Sequence, residues 1–481
     1  MAENDNIRNR ISTGLIWTFG ERISAQLVST VVTIVLARLL DPTHYGMISI
    51  VTVFITFCNV FVTSGFGSAV VQHKDADIND FNTAFILSFA VSLTLYFVLF
   101  CAAPYIEAFY NMLGLSMVIR VMALRLPLAA LNSIQQAYIQ REMAFKRFFV
   151  ATLFGTILSG VVGIFLAYMG YGVWALVAQY LTNTTVDTVV LWFVCGWKPK
   201  LSFSTSKAKE LFNFGWKVLA SNLVANLESD IRSLLVGKVF GATDLAFYDQ
   251  GKKYPALLVN NINSSINKVM LPAYSKAQDD NLRLKSMLRK SIQIGLFLLV
   301  PLMFGFAAVS STFVCVILTE KWLPSVPYIQ IFCLYFLTRP IETSCQQVVL
   351  AKGRSDIVFK IMLSINCVSL LTVIIAVFLF RSVMMIAIGS LFTTMVSIVC
   401  YMICSNKLVG YSFKEQISDI MCPIFMSMIM VVIVKCVDII QIGNIYKLVF
   451  QVCVGMISYF VLAVVTKNVT LTYLYKMLKK N

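Results

Sequence analysis

The sequence predicts an all-α polytopic membrane protein of about fourteen transmembrane helices. Three observations carry this: 58% of its 481 residues are hydrophobic, only 13% are charged, and mean hydropathy is +0.80. A soluble domain of this length needs far more charge to solvate its surface. Apolar runs of about twenty residues recur from end to end, each long enough to cross a hydrocarbon core of about 30 Å.

Reading those runs against Gly, Pro and charge punctuation gives spans near 12–39, 45–70, 83–106, 117–139, 147–169, 172–195, 213–239, 246–271, 287–318, 326–350, 357–380, 383–405, 416–438 and 445–466. The N-terminus, MAENDNIRNR, lacks the short apolar region and cleavage site of a signal peptide, so the first span is expected to be retained. With that end inside, the inward loops and tails hold about 23 Lys and Arg against about three outside (Lys321, Arg381 and Lys447). Both termini are therefore expected in the cytoplasm. The net charge of +16 is then largely a topology signal, which argues against nucleic acid as a partner. Twelve cysteines show no Cys-x-x-Cys, and Cys400 and Cys404 have no His or carboxylate nearby, so no metal is expected.

The chain repeats itself. At a shift of 200 residues, Arg22, Gln26, Ser29, Thr33 and Arg38 fall opposite Asn222, Asn226, Ser229, Ser233 and Lys238. Later, IQQAYIQREMAFKRF (134–148) parallels CQQVVLAKGRSDIVF (345–359). These matches divide the chain into a six-helix lobe (1–196), a cytoplasmic linker (197–212), a second six-helix lobe (213–406), and two extra helices with a tail (407–481).

Charges within spans need somewhere other than lipid to face. On the seventh span, Asn222, Asn226, Ser229 and Ser233 form one stripe, flanked by Glu228, Asp230 and Arg232, with leucines opposite. Glu228 and Arg232 have the i,i+4 spacing of a local ion pair. The first span repeats the design, and the eighth adds Lys252, Lys253, Asn260, Asn261, Asn263, Ser264, Asn267 and Lys268. Six cations, Arg22, Arg125, Arg232, Lys253, Lys268 and Arg339, outnumber nearby acids and are the expected lining of a water-filled basic cavity between the lobes. Gln26, Asn222, Asn226, Asn261 and Asn267 would supply neutral donors and acceptors for sugar hydroxyls. Guanidinium groups match phosphate oxygens, so a phosphorylated or acidic glycan fits such a cavity. Arg38, Lys217, Lys238 and Lys435 read instead as snorkelling or packing groups.

The runs LARLLDPTHYGMISIVTVF, TSGFGSAVVQHKD, GYGVWALVAQ, WKPKLSFS, EKWLPSVPYIQIFC and AKGRSD resemble the Wzx-type polysaccharide flippases of the multidrug/oligosaccharidyl-lipid/polysaccharide exporter superfamily, on the branch of the colanic-acid and teichuronic-acid exporters. The resemblance implies two six-helix lobes in a V shape around a basic central cavity, plus two further helices. It also implies a bacterial inner-membrane protein that moves an undecaprenyl-diphosphate-linked repeat unit outward by alternating access, without cofactor or catalysis. Membrane lipids, a polysaccharide polymerase and glycosyltransferases are the implied neighbours.

Two other readings compete. An ion-coupled multidrug exporter would use embedded carboxylates, for which Asp187, Glu228, Asp230 and Glu342 are available, but the basic surplus opposes cationic drugs. A membrane glycosyltransferase could chelate metal at Asp75-Ala76-Asp77, yet that motif sits in a short loop with no domain to build a nucleotide pocket. No phosphate-binding Gly-x-x-x-x-Gly-Lys-[Ser/Thr] occurs, which argues against direct ATP use.

Overall fold

The computed structural model describes residues 20, 24–63, 65–72, 76–142, 144–440, 442–468 and 470–473. Among these the chain is helical with no strand: α1 (Ser24–Leu39), α2 (Pro42–Thr63), α3 (Phe66–Gln72), α4 (Ile78–Tyr110), α5 (Leu115–Met122), α6 (Arg125–Arg141), α7 (Phe145–Tyr168), α8 (Val173–Val194), α9 (Thr205–Val239), α10 (Ala242–Lys276), α11 (Asn281–Phe313), α12 (Val326–Leu337), α13 (Arg339–Ala351), α14 (Ser355–Ile375), α15 (Val383–Val409), α16 (Phe413–Cys436) and α17 (Asn444–Val465). Nine helical stretches among the described residues are long and apolar enough to span a membrane. Helices also occupy the other expected spans, but α1 is short in its described part and α8, α9, α10 and the α12–α13 pair are interrupted by polar side chains.

Helix ends follow local chemistry. Asp77 caps α4, accepting hydrogen bonds from the backbone N–H of Asn79 (2.9 Å) and Asp80 (3.0 Å), while the Asp80 carboxylate accepts from the Asp77 N–H (2.8 Å). This reciprocal box satisfies donors that a helix start leaves open. Ser412 and Glu415 build the same box on α16.

Two expected spans are broken near a proline. The fourth divides into α5 and α6, and the tenth into α12 and α13. Pro127 and Pro340 each lack the N–H that would bond four residues back, to the carbonyls of residues 123 and 336, and each ring crowds that carbonyl. Over the second span, α2 ends at Thr63 and α3 begins at Phe66.

The chain forms two compact units, residues 1–246 and 247–481. In the first, α7 and α8 pair along their length, α6 lies on α4 and α8, and α9 packs on α2, α3 and α4. Thus α9, which the repeat assigns to the second lobe, packs in the first unit. Gly46 of α2 is a closest approach: a Cβ there would stand 1.7 Å from the Ala242 carbonyl oxygen. In the second unit, α11 is the hub for α12, α13, α16 and α17. The start of α10 docks through an edge-on ring ladder of Tyr248, Tyr328 and Phe332.

The two extra helices are fastened to α11 at both ends of the contact. Asp419 takes two hydrogen bonds from Arg289 (2.6 and 2.9 Å), one from Gln293 (2.8 Å) and one from the Tyr411 hydroxyl (2.8 Å). Farther along, Tyr459 donates to the Phe297 carbonyl at 3.0 Å.

Candidate functional site

The polar groups inside the first unit converge on a seam between α6 and α8. The break before α6 puts Arg125 at the helix start, where its Nε donates to Thr184 Oγ1 at 3.0 Å and its guanidinium lies 5.2 Å from the Tyr180 ring centre. Tyr180, Thr184 and Thr188 follow at i,i+4 on one face of α8, so the seam continues inward. Asn132 donates to Thr188 Oγ1 (3.0 Å), Gln136 to Asn132 Oδ1 (3.3 Å), and Trp192 to the Leu131 carbonyl (3.2 Å). Gln135, fully buried, finds no partner among the described residues for either amide atom.

Arg125 makes no further hydrogen bond among the described residues. Its two terminal nitrogens thus keep their donors, in a guanidinium already fixed by a hydroxyl and a ring. Asp187, one turn from Thr184, acts on it electrostatically and is pressed against α7, where a Cβ on Gly155 would fall 2.0 Å from its Oδ1. Gly155 is what makes room for that carboxylate.

Arg339 of the second unit has the same place at the start of a broken span but a different environment. Its Nη1 pairs with Glu342 at 3.3 Å, its Nη2 donates to the Tyr335 hydroxyl at 3.0 Å, and the group lies over the Tyr335 and Phe336 rings. Glu342 is buried. An ion pair at i,i+3 therefore holds both charges.

The remaining expected site residues are distributed as follows. Arg232 is buried in α9, Asn222 and Asp230 are half-buried on the same helix, and Lys253 is exposed on α10. Gln26 donates to Thr30 Oγ1 at 3.4 Å along α1. Arg22 lies outside the described residues, as do the side chains of Asn226, Glu228, Asn261, Asn267 and Lys268. Lys238 sits 4.4 Å from the Phe109 ring centre and donates to that residue's carbonyl, as a helix-end packing group does. Tyr180, Thr184 and Thr188, with Asn132 of α6, are not among the residues the sequence singles out; the i,i+4 spacing of the three on α8 is the available signal.

Residues 35–327 match the family described as "Polysaccharide biosynthesis protein". The chain belongs to that family. Among its relatives, the "Teichuronic acid biosynthesis protein TuaB" of Bacillus subtilis is 25% identical over 74% of this chain and 74% of its own. The "Lipopolysaccharide biosynthesis protein WzxC" of Escherichia coli is 20% identical over 88% of this chain and 86% of its own. The expected kinship with Wzx-type flippases is thereby borne out. Among solved structures, "Lipid II flippase MurJ, inward closed conformation" matches with a TM-score of 0.75 at 13% identity, covering 94% of this chain and 98% of that one. An inward-facing MATE family multidrug resistance transporter matches at 0.61 and 14% identity, covering 81% and 96%. The chain is a multi-pass membrane protein and shares the fold of those two structures.

Proposed function

We propose that this protein is a flippase for a lipid-linked saccharide, moving an undecaprenyl-diphosphate-linked repeat unit from the cytoplasmic to the outer leaflet of a bacterial inner membrane by alternating access. In this reading residues 1–196 and 213–406 are the two moving lobes, residues 407–481 add the extra helices, and both termini lie in the cytoplasm. The names of the two relatives, each a polysaccharide biosynthesis protein, and the MurJ-like fold support it.

The observation that carries the reading is the state of Arg125. A guanidinium within a span is costly to keep charged, and one whose terminal donors stay available is suited to an anion that arrives and leaves. A diphosphate offers paired oxygens that match the planar fork. Arg232 and Lys253, with Arg22 and Lys268, would add positive potential, and Asn222 and Gln26 would meet sugar hydroxyls.

Binding of a purified lipid-diphosphate oligosaccharide to the protein in nanodiscs tests this, beside polymer export in cells. Arg125→Ala should weaken binding roughly ten- to a hundredfold, the worth of a charge-assisted contact of about 1.5–3 kcal/mol. Arg125→Lys keeps the charge but loses the fork, and should recover only part of the affinity. Parent-like binding and export by both variants would sink the role of Arg125.

A further inference from the structure

In the segment after α8, residues 196–204, hydrogen-bonding groups and Trp197 face the protein while Leu201 and Phe203 face out beside lysines. Toward the protein, its groups are tied to the start of α4: the Lys200 N–H donates to Asn82 Oδ1 (2.9 Å), Asn82 Nδ2 donates to Ser202 Oγ (2.8 Å), Ser202 Oγ to Asn79 Oδ1 (3.2 Å), and the Ser204 N–H to Thr83 Oγ1 (3.3 Å). Trp197 anchors the strap, 5% exposed among Phe81, Phe85 and Tyr138. Outward, Leu201 is 96% exposed and Phe203 52%, and Phe212 and Trp216 continue the apolar surface one helical turn apart on α9. A loop bathed only in water would have the opposite polarity.

Cations frame these side chains. Lys198, Lys200 and Lys209 are exposed, as is Arg147, whose Nη1 would lie 3.4 Å from a Cβ on Gly196. None of the four forms an ion pair among the described residues. The nearby acids Asp77 and Asp80 are engaged by Lys207, at 2.5 and 3.1 Å. Apolar side chains ringed by unneutralised lysines match the boundary between acyl chains and anionic headgroups.

We propose that residues 198–216 form a membrane-interface anchor that inserts Leu201 and Phe203 among the lipids and gathers anionic phospholipid headgroups with Lys198, Lys200 and Lys209. The anchor does not depend on what the protein transports. By fixing the strap between α8 and α9 to the bilayer surface, it would set the depth at which the first unit sits.

The test places a benzoylphenylalanine photocrosslinker at position 201, and separately at 203, in the full chain in nanodiscs of equal parts phosphatidylglycerol and phosphatidylcholine. Adducts are then weighed by mass spectrometry. Both positions should gain phospholipid, phosphatidylglycerol in excess. In a Lys198→Gln/Lys200→Gln/Lys209→Gln background that excess should fall roughly fivefold or more, the factor one basic group near an anionic surface is worth. A monodisperse, folded protein with no lipid adduct at either position would overturn the anchor. Adducts to another polypeptide in native membranes, with none to lipid in nanodiscs, would overturn it in favour of a protein partner. Lipid adducts whose headgroup ratio ignores the lysines would overturn the anionic-lipid assignment.

Discussion

Arg125 and Arg339 occupy corresponding places and do different things. Each begins the second segment of a span broken near a proline, the fourth in one half and the tenth in the other, and each lies over a tyrosine ring. Among the described residues Arg125 is hydrogen-bonded through Nε alone, whereas Arg339 has one terminal nitrogen on Glu342 and the other on Tyr335. An intramembrane arginine is thus not a binding group by virtue of its position. What distinguishes the two is whether an acid of the same helix meets its fork.

The largest expected effect breaks or keeps this contrast directly. Arg125→Ala should cost the diphosphate-linked ligand roughly ten- to a hundredfold in affinity, while Arg339→Ala should leave affinity within about threefold. Arg339→Ala should instead lower thermal stability, because it leaves the Glu342 carboxylate buried without its cation. Removing both charges, as Arg339→Met with Glu342→Gln, should restore most of that stability. Equal affinity losses at the two arginines would erase the distinction.

A smaller effect is expected from the far side of the Arg125 site. Gly155→Ala pushes a methyl group into the Asp187 carboxylate, a change that overpacks a tight helix pair at about 1–3 kcal/mol. Thermal unfolding in nanodiscs should show the loss, and ligand affinity should drop less than in Arg125→Ala because the guanidinium keeps Thr184 and Tyr180. Should Gly155→Ala bind as poorly as Arg125→Ala, the position of Asp187 would govern the site more than the arginine does.

Much of this was legible beforehand, for reasons that differ by level. Hydropathy alone locates helices, because lipid demands a long apolar run, and helices stand where the spans were expected. The breaks were also readable, since Pro127 and Pro340 forbid specific hydrogen bonds. The pairing of Arg339 with Glu342 was available as an i,i+3 spacing, although the sequence alone points to Arg339 as a cavity cation and to Glu342 as a possible coupling carboxylate. The state of Arg125 was not legible: its partners Tyr180 and Thr184 come from another helix, and only the fold brings them within reach. The strap was hidden for the same reason. WKPKLSFS reads as a basic linker until Asn79, Asn82 and Thr83 of α4 claim its polar groups and leave Leu201 and Phe203 outside.

The smallest effect supplies the baseline for a cation paired outside the membrane. Lys207 bridges Asp77 and Asp80 at the start of α4, and its ammonium, donating to Asp77, is the main reason that carboxyl is held at about 2 against an ordinary 3.8. A lowered folded value means the contribution is complete above the ordinary carboxylate range and lost as pH falls through the folded value. Lys207 is itself raised above its ordinary 10.5 by Asp77, so its part is present below that value and lost only at higher pH. The stability difference between parent and Lys207→Ala should therefore be flat from about pH 5 to 9 and shrink toward pH 2. Its size should be under about 1 kcal/mol, because the Asp77 side chain is 53% exposed and water and salt screen the pair. Thermal unfolding of both proteins across that range, at low and high salt, measures it. A difference that stays unchanged down to pH 2 would mean that Lys207 holds α9 to α4 by packing rather than by charge. A Lys207 effect as large as that of Arg339→Ala would show that burial does not separate the strong ion pair from the weak one.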